Sequence, residues 1–286
     1  MIQSMTGFGK ASLQLPTKKI TVELKSLNSK GLDLNTRMPS VYREMELGLR
    51  NQIAQRLERG KVDFSLYIEV TGEETSTKVN APIVKAYIAQ MRAILPDADN
   101  TELMKMAVRM PDALKTERDE IDENEWKHIQ GVIDEALSNI NDFRASEGLS
   151  LEKEFKLRIE NIRSYMTQAL ALDPERVQNI KDKLQTAIAE LQVNVDANRF
   201  EQELIYYLEK LDITEEKVRL TNHLDYFLET IEGNEANGRK LGFITQEMGR
   251  EINTMGSKSN HAAMQKLVVM MKDELEKIKE QVLNVL

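Results

Sequence analysis

The spacing of apolar residues changes character near residue 75 of this 286-residue chain, and that change limits the folds open to it. In KITVELKS (19–26), Ile20, Val22 and Leu24 alternate with Thr21, Glu23 and Lys25. VDFSLYIEV repeats the pattern with Val62, Phe64, Leu66, Ile68 and Val70. A period of two sends alternate side chains to opposite faces, so both stretches read as strands of a sheet with one covered face. Between them, Val41, Met45, Leu49, Ile53 and Leu57 fall at helical spacing. Ser40 after Pro39 is placed to cap that helix, and Gly60 to end it. The expected order is two or three strands, a helix, then a strand.

Beyond about residue 80 the pattern turns helical, over 80–94, 122–146, 150–171, 174–193, 196–211, 214–232, 239–257 and 260–285. Breaks fall at Pro96, Pro111, Pro174 and EGNEANG (232–238), and LPDADNTELMKM reads as a connector with a short helix. The expected class is α+β, a small N-terminal mixed α/β sheet module followed by a long, mostly α-helical region. The expected division is an N-terminal sheet module over 1–75, a helical middle over 76–195 and a C-terminal helical domain over 196–286. In the last helix, Met264, Val268, Met271, Leu275, Ile278, Val282 and Val285 follow spacings of four and three. That seam suits packing along another helix, in the same chain or in a partner subunit.

Composition removes several chemistries. With no cysteine there are no disulfides, thiolate metal sites or cysteine nucleophiles. No apolar run approaches the ~20 residues of a membrane span. MIQSMTGFGK lacks the charged start and apolar run of a signal peptide, so the chain is read as cytoplasmic. The net charge of −8 is uneven: residues 1–72 hold 11 Lys and Arg against 7 Asp and Glu, and the remainder holds 28 against 40. An acidic total opposes non-specific nucleic-acid binding over the whole surface but leaves room for a local basic groove.

Two helical stretches carry polar residues along their apolar stripes. In the first, Leu220, Leu224, Phe227, Leu228 and Ile231 make the buried face, with Glu216, Arg219 and His223 on its edge. In the second, Leu241, Ile244, Met248, Ile252 and Met255 form a stripe roughly 80° wide. Glu247, Glu251 and Lys258 border it, and Gln246, Arg250, Asn253 and Ser257 lie opposite. Glu247 and Glu251 are helix neighbours that repel by some tenths of a kcal/mol unless a cation stands between them. Each edge is a solvated border or part of a site. A histidine and a carboxylate beside two more carboxylates suit Mn²⁺ or Mg²⁺, although no zinc motif is present. SMTGFGKA lacks a phosphate-loop pattern, and its Gly7 and Gly9 mark a bulge or a close backbone approach. Lys25, Asn28, Lys30 and Arg37, in a stretch with few acids, suit phosphate contacts or a polar sheet face.

SMTGFGKA, ELKSLNSKGLDLNTRMP, RGKVDFSLYIE, DITEEKVRLTNHLDYF and GRKLGFITQEMGREINTMGSKS, taken in order, resemble the YicC/YloC family of bacterial proteins. FRASEGLSL resembles the family's pattern of Arg followed by Glu-Gly and Leu. The resemblance spans the chain, with little to match over about 75–195. It implies a cytoplasmic endoribonuclease that uses Mn²⁺ or Mg²⁺, forms a homohexamer enclosing RNA and turns over small or structured RNA. On that basis Glu216, His223, Glu247 and Glu251 are expected to form the metal and acid–base site. Arg219, Arg239, Arg250 and Lys258 are expected to hold phosphates, and Lys25, Asn28, Lys30 and Arg37 to guide the RNA strand. Two residues depart from the family's pattern: Gly249, where Asn is usual, and His261, where Asn or Asp is usual. His261 is a replacement ligand or base, or a helix cap. The alternative function is a non-catalytic RNA-binding adaptor that delivers RNA to another ribonuclease.

Overall fold

The computed structural model describes residues 2–71, 78–115, 123–191, 197–233 and 238–286. The expected boundaries at 75/76 and 195/196, and most of EGNEANG, lie outside them. The alternating stretches form strands β1 (Gly7–Gln14), β2 (Lys18–Leu27) and β3 (Leu32–Arg37), then a 3-10 turn (Ser40–Met45), helix α1 (Glu46–Leu57) and strand β4 (Gly60–Val70). They make a sheet of order β1-β2-β4-β3, antiparallel except where β3 runs parallel to β4. Ile20, Val22, Leu24, Val62, Phe64 and Leu66 are buried on one face, while Val70 at the strand end is exposed. Val41, expected on the buried side, is exposed. Its turn is the tighter 3-10 form, which rotates Tyr42 inward in its place.

Short strands β5 (Lys78–Val79) and β6 (Leu114–Lys115) pair around helices α2 (Ala81–Ile94) and α3 (Asn100–Ala107). This small pairing has no alternating pattern in the sequence, because two residues carry no period. Asp99 caps α3 by accepting from the amides of Thr101 and Glu102.

Helix α4 (Glu123–Ala171) is continuous for 49 residues, where two segments were expected. The Glu-Gly pair that reads as a break is accommodated, since a helical glycine costs only about 1 kcal/mol. Here it has a use: a Cβ on Gly148 would stand 2.1 Å from the Ile2 carbonyl oxygen. The first half of α4 covers the sheet with Ile129, Val132, Ile133, Ala136, Leu137 and Ile140. The second half packs Leu151, Phe155, Ile159, Ile162 and Met166 against the C-terminal helices. At the change-over Arg144, 1% exposed, donates to the carbonyls of Leu57, Met5 and Arg59. Burial pulls its guanidinium below the usual value, yet the ring of carbonyl acceptors keeps it solvated by protein.

Helices α5 (Asp173–Leu191), α6 (Ala197–Lys210), α7 (Thr214–Glu232), α8 (Gly238–Lys258) and α9 (Ala262–Val282) complete the chain. The seam of α9 is buried within the same chain, against α4 and α8. Glu274 on α9 is also buried, held by Arg158 at 3.2 Å and Asn161 at 3.0 Å from α4 and by Lys277 at 2.8 Å. Burial opposes its charge, but hydrogen bonds from Asn161, Lys277 and Arg158 outweigh that and hold its carboxyl below the usual range. No helix among the described residues is long and apolar enough to cross a membrane.

Gly7 and Gly9 mark a close approach of β1 to α4. A Cβ on Gly9 would lie 2.3 Å from the Ala136 carbonyl oxygen. Gly9→Ala is expected to destabilise the fold by about 1–3 kcal/mol through overpacking. Gly131→Ala, in open space on α4, should stabilise it by about 0.5–1 kcal/mol. Denaturant unfolding of both variants checks this, and equal effects would contradict the packing. Because Glu274 titrates low in the fold, its contribution is present above the unfolded value of about 4.3 and is lost as pH falls through the folded value. Glu274→Gln should flatten the acid dependence of the unfolding midpoint between about pH 5 and 3; an unchanged slope would refute the clamp.

Candidate functional site

The two polar edges expected on α7 and α8 meet. The helices pack antiparallel through Leu220, Leu224, Phe227, Leu241, Ile244, Met248, Ile252 and Met255, all buried. On α7 the edge positions are 216, 219, 223 and 226, spaced three, four and three. On α8 they are 240, 247, 251 and 258. Both sets keep to one side of a helix of 3.6 residues per turn. At one end Lys258 Nζ donates to Glu216 Oε1 at 2.7 Å and to the Asp212 carbonyl at 2.8 Å. In the middle Arg219 Nη1 stands 3.8 Å from Glu251 Oε1, and Arg219 also pairs with Glu215. At the other end Lys240 Nζ lies 4.7 Å from the ring centroid of Tyr226.

Burial separates the carboxylates. Glu216 and Glu251 are buried and Glu247 is exposed. The Oε2 atom of Glu216 is buried with no hydrogen-bond partner. Glu247 lies 3.8 Å from Arg250, which is exposed, as is Arg239. His223 is half-buried between the Glu216 and Tyr226 positions and makes no hydrogen bond or ion pair among the described residues. Asp212, whose carboxylate accepts from the Thr214 hydroxyl at 2.8 Å and amide at 3.2 Å, is held below the usual range chiefly by that hydroxyl.

Among the described residues, no three His, Cys, Asp or Glu side chains gather closely enough to hold a metal ion. Glu216 and Glu251 already face Lys258 and Arg219, and Glu247 points to solvent beside Arg250. The side chains described in one chain therefore do not fit Mn²⁺ or Mg²⁺ on their own.

The N-terminal cations lie on another surface. Lys25 is exposed on the open face of the sheet, 5.9 Å from the Phe8 ring centroid, and Lys30 and Arg37 are exposed. Asn28 donates its amide to the Leu283 carbonyl. The chain end joins the two surfaces, because the Leu286 carbonyl accepts from the Gly238 amide beside Arg239. Gly249 faces α9: a Cβ there would lie 3.3 Å from Leu275 and 3.6 Å from Lys279 Nζ, away from the α7–α8 edge. His261 caps α9, accepting from the Met264 amide at 3.4 Å, with Nε2 3.5 Å from Glu175.

Arg176 near the start of α5 has no sequence signal, since it acts through residues far away. It is buried, bonds Asp173 at 2.7 Å and donates to the Lys258 carbonyl at 3.2 Å, fixing the end of α8. Tyr226 carries no motif signal either, but extending the α7 edge three residues past His223 reaches it, opposite Lys240.

Residues 2–153 match the family model described as endoribonuclease YicC-like, N-terminal region, and residues 169–286 match endoribonuclease YicC-like, C-terminal. The chain belongs to this YicC-like family. A protein of Clostridioides difficile (strain 630) named "Probable endoribonuclease YicC" is 32% identical over 293 residues, covering 100% of both chains. A protein of the same name from Haemophilus influenzae is 28% identical over 286 residues, covering 99% of both.

Lys258→Met would leave Glu216 buried without its cation. A loss of about 3 kcal/mol is expected, largely recovered in the Lys258→Met, Glu216→Leu pair. Unfolding of the two single variants and the pair measures this coupling, and additive losses would show that the contact is not formed.

Proposed function

We propose that the chain is an endoribonuclease, the activity named for both relatives, and that it cuts RNA along the seam between α7 and α8. The observation that supports this most is the meeting of the two edges. Cleaving a phosphodiester by an attacking hydroxyl, from water or from the RNA's own 2′ position, needs three things together. A base must take the proton, an acid must supply one to the leaving oxygen, and donors must face the charge that develops on phosphorus. His223 and the carboxylates of Glu216, Glu247 and Glu251 are the proton-transfer groups of the seam. Arg219 and Arg250 are the donors placed for the phosphoryl oxygens, and Lys258 holds Glu216 in orientation.

Arg239 extends the cationic path toward the chain end, where Asn28 binds. Lys25, Lys30 and Arg37 carry it onto the sheet module and guide the strand there. These contacts go to phosphates and position the RNA without reading its bases. The substrate class in this reading is small or structured RNA, and the assembly is a homohexamer whose seams face a common RNA. A divalent ion, Mn²⁺ or Mg²⁺, belongs to the proposal only as a group completed by the RNA or by another chain.

An end-labelled stem–loop RNA incubated with the full chain tests the reading, with Mn²⁺, Mg²⁺ or EDTA in parallel. Internal cuts are expected, slowed at least ~100-fold in the Glu247→Gln, Glu251→Gln variant while its unfolding midpoint is kept. Tight binding without cuts under every condition would overturn catalysis and favour an adaptor that delivers RNA to another ribonuclease.

A further inference from the structure

The seam does not end at His223. One turn further along α7 stands Tyr226, 44% exposed although aromatic, and Lys240 of α8 lies over its ring at 4.7 Å. Phe243, three residues after Lys240 and so its neighbour on the helix surface, is 62% exposed. An exposed Phe on a helix whose other face is buried contributes nothing to that core. Asp225, next to Tyr226 in sequence, is tied to Arg163, and Glu229, one turn further along α7, is exposed. Arg239, the residue before Lys240, and Arg250, two turns beyond Phe243, are both exposed.

We propose that Tyr226, Lys240 and Phe243 form a stacking subsite for an unpaired nucleotide a few nucleotides from the bond that is cut. The proposal rests on the endoribonuclease reading and names the substrate feature that reading leaves open, an unpaired base. Three observations support it. Both rings are exposed, and Lys240, on one face of Tyr226, lies close enough to meet the adjoining phosphate. The subsite is continuous with the seam: from Glu216 to Tyr226 is ten residues of helix, about 15 Å at the usual rise, a length that a few nucleotides span. The chemistry is also selective. Every base offers a π-face to an aromatic ring, but a duplex keeps those faces stacked on each other, so exposed aromatics favour single strands, loops and bulges. The surrounding cations bind either form.

Tyr226 and Phe243 are therefore positioning residues that set preference, not groups that move protons. The test compares cleavage of a loop RNA with cleavage of the fully paired duplex of the same sequence. The full chain is set against Tyr226→Leu, Phe243→Leu and Tyr226→Phe. Each leucine variant is expected to lower the preference for unpaired RNA roughly 10-fold, mainly through KM on the loop substrate, and Tyr226→Phe should restore it. A 2-aminopurine placed in the loop should be quenched on rapid mixing with the parent chain and with Tyr226→Phe, and much less with the leucine variants. A merely structural role would slow loop and duplex alike and leave the quenching in place, and that result overturns the proposal. Equal quenching in all four proteins overturns it too. If the parent chain neither binds nor cuts RNA, the endoribonuclease reading fails first and takes this subsite with it. Cutting with unaltered preference in the leucine variants removes only the subsite.

Discussion

One helix serves two cores, and the rest of the molecule depends on it. The single stripe of α4 first covers the sheet with Ile129, Ile133 and Ile140, and then enters the C-terminal helices with Phe155 and Ile159. A rigid helix of this length fixes where one module stands with respect to the other. The change-over carries a helical glycine, Gly148, which costs about 1 kcal/mol. Arg144 reinforces it by binding three carbonyls from the N-terminal segment and the α1–β4 turn. Gly148 lets the N-terminal backbone lie directly on the helix, and the last residues pair with the first through Ser4 and Val285. Both chain ends are thereby held against the middle of α4.

That frame presents α7 and α8 as a pair whose buried faces are complete and whose polar edges adjoin. The edges are balanced by charge across the helix interface rather than along one helix. Glu216 takes its cation from Lys258, 42 residues on, and Glu251 faces Arg219 from the opposite helix. Burying a carboxylate without such a partner costs several kcal/mol, so the Lys258–Glu216 pair is a condition for the packing as well as a feature of the seam. The unpartnered Oε2 of Glu216 is the exception.

The alternating strands, the stripes of α7 and α8 and the seam of α9 were legible in the sequence because each has a period that burial enforces. The 3-10 turn at Ser40 and the β5–β6 pairing were not, being too short to show one. The continuity of α4 was hidden because Gly148 and its neighbours look like a break, while the contacts that carry the helix through come from residues 2–5 and 57–59. Edge residues were legible as positions but not as partners. Glu247 and Glu251 sit on the same border of one stripe, yet Glu251 is buried opposite Arg219 and Glu247 lies in solvent. Gly249 and His261 carried no role that spacing alone reveals; Gly249 faces α9 and His261 caps it.

The central claim is that the seam between α7 and α8 is where RNA lies. Its most direct measurement is a photocrosslinking map: a stem–loop RNA carrying 4-thiouridine in the loop, irradiated with the full chain, digested and read by mass spectrometry. The account predicts crosslinked peptides from residues 214–232 and 238–258. Crosslinks confined to the sheet module or to α2 and α3, with none on α7 or α8, would contradict it.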